Sequence, residues 1–169
     1  MSDSDRLYYA DSFLTTFRGV VTEVRVQAQS TGEPIWKVRL DRSAFYPTSG
    51  GQPFDTGELL TASPAGTRRS IPVEQVEEDE DGKVWHFIRQ PLEPGTPVEG
   101  RIDWERRFDH MQQHTGQHLL SAVFVRELNA PTVSFHLGDD TSTIDIASGA
   151  LGSEALARVL GTMPRSAGQ

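Results

Sequence analysis

Three of the five histidines in this 169-residue chain stand four residues apart, in His110-Met111-Gln112-Gln113-His114-Thr115-Gly116-Gln117-His118-Leu119-Leu120. On a helix each four-residue step turns the face by only ~40°, so the three imidazoles project from one side, a turn apart. Neutral imidazole is a good zinc ligand, and two at i and i+4 can share one ion. On spacing alone this competes with a polar helix face carrying incidental histidines. The spacing of His114 and His118 is also that of the HExxH zinc proteases, but Thr115 stands where the general base would be, which sets a protease aside.

A second feature is Phe45-Tyr46-Pro47-Thr48-Ser49-Gly50-Gly51-Gln52-Pro53. Paired glycines let a backbone approach a substrate or take positive φ, and they also occur in ordinary turns. The Gly-Gly-Gln triplet is shared with peptide-chain release factors, where the loop is strongly basic. Here no Arg or Lys occurs from 43 to 67, so that likeness is coincidental. A third feature pairs His136 with Asp145 across a hairpin, as a structural or a catalytic couple.

The elements that must position these residues are legible from pattern. Phe17–Val26, Ile35–Leu40, Gly57–Thr61, Ile71–Val76, Val84–Ile88 and Val98–Ile102 read as short strands punctuated by Gly/Pro turns. Regular short strands predict a small closed or nearly closed antiparallel β-barrel over 1–102. The acidic run Glu77–Asp81 reads as a solvated turn, and His86 as a surface histidine. From Trp104 to Leu128 there is no Pro and one Gly, which predicts a long helix. Thr132–Leu137 and Thr141–Ile146 then read as a hairpin around Gly138-Asp139-Asp140. Ser153–Leu160 reads as a short helix with Ser153 as its N-cap, and 161–169 as a disordered tail. The class is α+β, the second part being an incomplete α/β region over 103–169.

Composition bounds the partners. The chain has no cysteine and a net charge of −8, divided −6 over the first hundred residues and −2 over the rest. That is the wrong sign for binding nucleic acid by bulk attraction. Arg101, Arg106 and Arg107 are the densest basic candidate, against the simpler reading of a mixed solvated helix face. No apolar run of ~20 residues predicts a membrane helix, and Met1–Arg6 is polar and acidic rather than a secretory signal. Absence of cysteine fits a reducing compartment, so a cytoplasmic location is expected.

Taken together, Phe45-Tyr46-Pro47, Gly50-Gly51-Gln52-Pro53, Asp55-Thr56-Gly57, His114 to Leu120, and Ser134–Gly138 with Ile144-Asp145 resemble the free-standing alanyl-tRNA editing proteins. The same segments are similar to the editing region of alanyl-tRNA synthetase and, more distantly, of threonyl-tRNA synthetase. The resemblance runs from about Ala10 to Ala147. It implies an N-terminal β-barrel, an α/β editing domain, one zinc ion, and hydrolysis of mischarged Ser- or Gly-tRNA(Ala). It makes His114 and His118 the first two zinc ligands. It gives Gly50 and Gly51, with Thr48 and Gln52 beside them, a part in substrate binding. His110 and His136 are weaker candidates for substrate contact or a substitute ligand, His136 being the catalytic candidate.

The family completes its zinc site with a downstream Cys-x-x-x-His element. With no cysteine and no histidine beyond His136, the chain reads as the barrel plus the first half of the catalytic domain. His136, Asp145 or a partner chain could complete the site. The other reading is a non-catalytic tRNA- or protein-binding fragment. The expected partner is tRNA, with no DNA and no membrane, and an exposed sheet edge makes self-association an expectation.

Overall fold

Alternating small, β-branched and polar residues build the first strand, β1 (Thr16–Gln27). Phe17, Gly19 and Val21 point inward, while Thr16, Arg18 and Val20 face out. The computed structural model describes residues 5–27, 34–62, 67–138 and 141–163. A one-turn helix, α1 (Leu7–Ala10), precedes β1. Then follow β2 (Ile35–Leu40), β3 (Gly57–Ala62), β4 (Arg68–Val73), β5 (Gln75–Glu78), β6 (Val84–Ile88) and β7 (Pro97–Ile102).

These strands form one antiparallel sheet in the order β4-β3-β7-β1-β2-β6-β5. β1 serves two neighbours: Thr16–Val20 pair with β7, and Val21–Gln27 pair with β2. An irregularity between Val21 and Glu23 marks the changeover. The order is open, because β4 and β5 lie at its two ends and are not paired with each other. The strand pairing thus shows the expected antiparallel β unit, without the closure of the closed or nearly closed barrel expected of it. Pro72 gives β4 a position with no N–H to offer a further strand. The stretch read as one strand from Ile71 to Val76 is broken at Glu74, whose N–H turns to Phe87 O at 3.0 Å.

The sheet wraps a core of Phe17, Val38, Leu40, Phe45, Leu59, Ile71, Val76 and Ile88, all buried. Phe17 lies across the backbone of Gly100, its partner on β7, so that a Cβ there would fall 2.2 Å from the ring. His86 is not on the surface but wholly buried on β6. Its Nδ1–H donates to Val38 O at 3.1 Å, and its Nε2 accepts from Ser43 Oγ at 2.8 Å. Burial with no charged partner lowers its pKa to about 4. The acidic turn is built rather than merely solvated. The Asp79 carboxylate accepts from Asp81 N, Lys83 N and Trp85 Nε1, and these bonds hold it below its ordinary range.

Helix α2 (Trp104–Leu128) covers the predicted span. It ends at Asn129, whose φ of 50° and the 3.3 Å bond from Ala130 N to Phe124 O close the last turn. Strands β8 (Thr132–Leu137) and β9 (Ser142–Ile146) form a separate antiparallel ribbon. α3 is Ser153–Thr162, capped by Gly152 without a side-chain bond, so Ser153 is its first residue and not its cap. Gly161 and Thr162, expected in the disordered tail, belong to α3, and 164–169, with the hairpin tip at 139–140, lie outside the described residues.

The chain divides into two compact units, Met1–Arg107 and Phe108–Gln169, the division falling inside α2. The second has a small core of Val123, Phe124 and Val159, flanked by Leu120, Leu128, Ile144 and Ile146. Among the described residues no helix is long and apolar enough to cross a membrane.

Candidate metal and substrate site

In the second unit, His114 and His118 occupy successive turns of α2, and their Nε2 atoms stand 3.1 Å apart. Helical register alone brings the rings to 4.6 Å. The Phe135 ring of β8 stacks on His114 at 5.8 Å and meets His118 at 6.4 Å. Burial first, and the neighbouring His118 second, lower the His114 pKa and favour its neutral, ligating form. Two ligands on a tetrahedral zinc, each at about 2.0–2.1 Å, have nitrogens about 3.3 Å apart. The observed separation therefore fits half of such a site.

Among the described residues no third donor joins them, since no group of three or more His, Cys, Asp or Glu could hold an ion. His110, the third histidine in register, is buried at 2% exposure. Thr115 returns its hydroxyl to Met111 O at 2.9 Å, within the helix, and does no work as a base.

His136 is on the other face of β8. Strand alternation turns Phe135 toward the histidine pair and leaves His136 exposed on the opposite side. Its partner across the ribbon is Thr143, while Asp145 stands opposite Ser134 and accepts its hydroxyl. His136 and Asp145 are thus diagonal neighbours, and the Asp145 carboxylate is engaged by Ser134.

Sequence reasoning passed over a polar seam in the same unit. Gln117 Nε2 donates to Ser121 Oγ at 2.7 Å, and Thr132 Oγ1 donates to the same oxygen at 2.7 Å. Gln117 Oε1 is buried without a partner. Its place between the two histidines was the signal that could have drawn attention to it.

The glycine loop belongs to the first unit. Gly50 and Gly51 take φ of 57° and 79°, and Ser49 and Gln52 exchange backbone bonds at 3.2 and 2.9 Å around them. Both glycines are needed, because this mirror-image turn places two successive residues in the left-handed region. Thr48, Gly50 and Gly51 form an exposed tip, while Gln52 is buried.

Asp55, just after this loop, anchors Arg107. The Arg107 Nε lies 2.8 and 3.0 Å from its two carboxylate oxygens, and Nη1 and Nη2 donate to Ser12 O at 2.9 Å and Ala44 O at 2.6 Å. Asp55 also accepts from Tyr46 N at 2.6 Å. The pair is almost fully buried, at 3% and 1% side-chain exposure. The candidate basic patch at Arg101, Arg106 and Arg107 is therefore not available as one, and Arg107 is not on a solvated helix face either. Arg107 is internal, Arg101 is paired with Glu99 at 2.8 Å, and Arg106 donates to Phe54 O at 3.3 Å.

The chain is similar in sequence to known proteins. The chain is 36% identical over 158 residues to the alanyl-tRNA editing protein Aarsd1 of Bos taurus, which covers 88% of this chain and 33% of that protein. It is 39% identical over 120 residues to the alanyl-tRNA editing protein AlaX-M of Pyrococcus horikoshii, covering 70% and 47%. It is 38% identical over 151 residues to an alanine–tRNA ligase of Pyrococcus furiosus, covering 86% and 15%. The chain thus spans between a third and about half of the two editing relatives named. Residues 1–106 match the model of the family described as tRNA synthetases class II (A), and the chain belongs to that family.

Proposed function

We propose that the protein takes part in alanyl-tRNA editing, hydrolysing the ester that joins serine or glycine to tRNA(Ala), with one zinc ion at His114 and His118. The observation that carries this reading is the 3.1 Å approach of the two Nε2 atoms beside Phe135. It is supported by relatives that are themselves named alanyl-tRNA editing proteins.

In the free protein one Nε2 carries a proton that the other accepts. Were zinc bound, His114 and His118 would hold it through these two nitrogens, and the lowered pKa of His114 favours the neutral imidazole that ligation requires. When bound, zinc supplies a Lewis acid that can polarise an ester carbonyl or acidify water. The chain's own residues bind and orient. Helix α2 fixes the two imidazoles, and Phe135 restricts their rings. By the family resemblance, Thr48, Gly50, Gly51 and Gln52 of the first unit are assigned to substrate binding, where paired glycines leave backbone open to close approach. A site that satisfies the serine hydroxyl discriminates against alanine, because an unpaired buried polar group costs about 1–3 kcal/mol. His136, on the outer face of the ribbon, is assigned to substrate contact and not to the metal. On this reading the protein acts in the cytoplasm.

A second reading, a binding module without hydrolysis, is favoured by the donor count, since two imidazoles alone hold zinc weakly. One experiment separates the two. Seryl-tRNA(Ala) is incubated with the chain, with zinc and with a chelator. Zinc-dependent deacylation supports editing, and binding of the tRNA with no deacylation under either condition supports the module.

A further inference from the structure

The first unit carries a groove of about 940 Å³ where the β3–β4 end of the sheet meets β1, β7 and the segment before β7. Its lining is mostly apolar and includes Leu60, Leu92 and Val98. Its walls carry Arg18, Arg42, Arg68 and Arg69. These arginines are scattered over more than fifty positions of sequence, so no basic run announces them.

Three carboxylates also line the groove: Asp41, Glu93 and Glu99. Two are already engaged. Asp41 accepts from Val20 N at 2.7 Å and meets Arg42 at 3.3 Å. Glu99 is held by Arg101 at 2.8 Å. Among the described residues Arg18 and Arg68 form no ion pair, and both stand near enough to Glu99 to help Arg101 keep its carboxyl below the ordinary range. Arg69 is turned to Gln90 Oε1 at 2.8 Å. The lining thus carries four arginines against three carboxylates, a local positive excess in a chain whose net charge is −8. Such a local excess suits an anion, and a mostly apolar lining flanked by forked donors suits a chain of phosphates whose sugars and bases need cover.

We infer that this groove is a docking surface for the phosphodiester backbone of an RNA, with Arg18 and Arg68 as its principal phosphate contacts. The inference rests on the reading of the chain as acting on aminoacyl-tRNA, and it adds a contact remote in sequence from the histidines. Groove binding is sequence-independent, since guanidinium–phosphate contacts carry register and not base identity.

The test uses the 169-residue chain and uncharged tRNA(Ala) as the probe, with binding followed by fluorescence anisotropy over a range of salt. The variant Arg18→Gln/Arg68→Gln is compared with Arg89→Gln/Arg158→Gln, which removes the same charge elsewhere. The first is expected to weaken binding about tenfold or more and to lower the slope of log K against log salt by about 1–2. The second is expected to change affinity less than twofold. Equal losses in both variants, no RNA binding by the parent chain, or binding of polyglutamate in preference to RNA would each overturn the inference. Deacylation of seryl-tRNA(Ala) is read in parallel. Loss of binding by the groove variant with no deacylation in any protein keeps the groove and removes the editing reading. Unchanged binding with normal deacylation does the reverse.

Discussion

The guanidinium of Arg107, in the first turn of α2, closes on the carboxylate of Asp55, which follows the Gly50-Gly51 loop 52 positions earlier. Its Nη2 also donates to the buried Ala44 O and its Nη1 to Ser12 O, and both side chains of the pair are buried, so removing either partner leaves a charge stranded in the interior. Arg107→Ala and Asp55→Ala are each expected to lower unfolding free energy by about 3–5 kcal/mol. Asp55→Leu/Arg107→Met, which removes both charges, is expected to lose less than either single variant. Urea unfolding decides this, and losses under about 1 kcal/mol for the single variants would contradict it.

The histidine pair makes a prediction about metal. After passage through a desalting column in micromolar zinc, His114→Ala and His118→Ala are expected to retain at least tenfold less zinc than the parent chain. His136→Ala is the proper comparison, being exposed and on the far face of β8, whereas His86 is buried and would confuse binding with folding. Equal zinc in all three variants would remove the ligand assignment.

His86 predicts how stability changes with pH. Its ordinary value is 6.5 and burial lowers it to about 4 in the folded chain. Above about 6.5 both states are neutral, and its contribution is fully present. As pH falls from about 6.5 to about 4 the unfolded chain takes up a proton that the folded chain refuses, so stability declines by about 3 kcal/mol. Below about 4 its share of the decline levels off. Urea titrations between pH 4 and 7.5 are expected to show this slope in the parent chain and a flatter one in His86→Gln. Parallel slopes would rule out His86 as the source.

The glycine turn is open to a milder test. Nothing lies within 4 Å of a Cβ placed on Gly50, so the penalty there is conformational alone. Gly50→Ala is expected to cost about 1–2 kcal/mol, and Gly50→Asn less, because asparagine tolerates the left-handed region. If the loop meets the aminoacyl group, both substitutions slow deacylation more than their melting temperatures explain. Deacylation that tracks stability alone would make the loop purely structural.

Much of this was legible in the residues. Helix α2 was readable from 25 positions without proline, and His114 with His118 from their spacing on it. The positive φ values of Gly50 and Gly51 were readable from their pairing. What stayed hidden depends on partners distant in sequence. Arg107 looks like a solvated cation until Asp55 is brought beside it, and His86 looks exposed until Ser43 and Val38 enclose it. The open sheet order could not be read from strand lengths, because closure depends on which edges meet and not on how many strands there are. The groove arginines come from β1, β4 and the end of β2, and no linear window contains them.

The double pairing of β1 also bears on the order in which the first unit folds. Its Val21–Gln27 half finds β2 across a short local connection, but Thr16–Val20 must wait for Pro97–Arg101, some eighty residues away. Closing so long a loop is slow, because its chain entropy is lost before distant contacts compensate. One continuous strand is therefore expected to acquire its hydrogen bonds in two stages. Pulse-labelled amide exchange during refolding would show late protection at Gly19, whose N–H faces β7, and earlier protection in the Glu23–Gln27 half. The seam at Val21–Glu23 is then a boundary in time as well as in space.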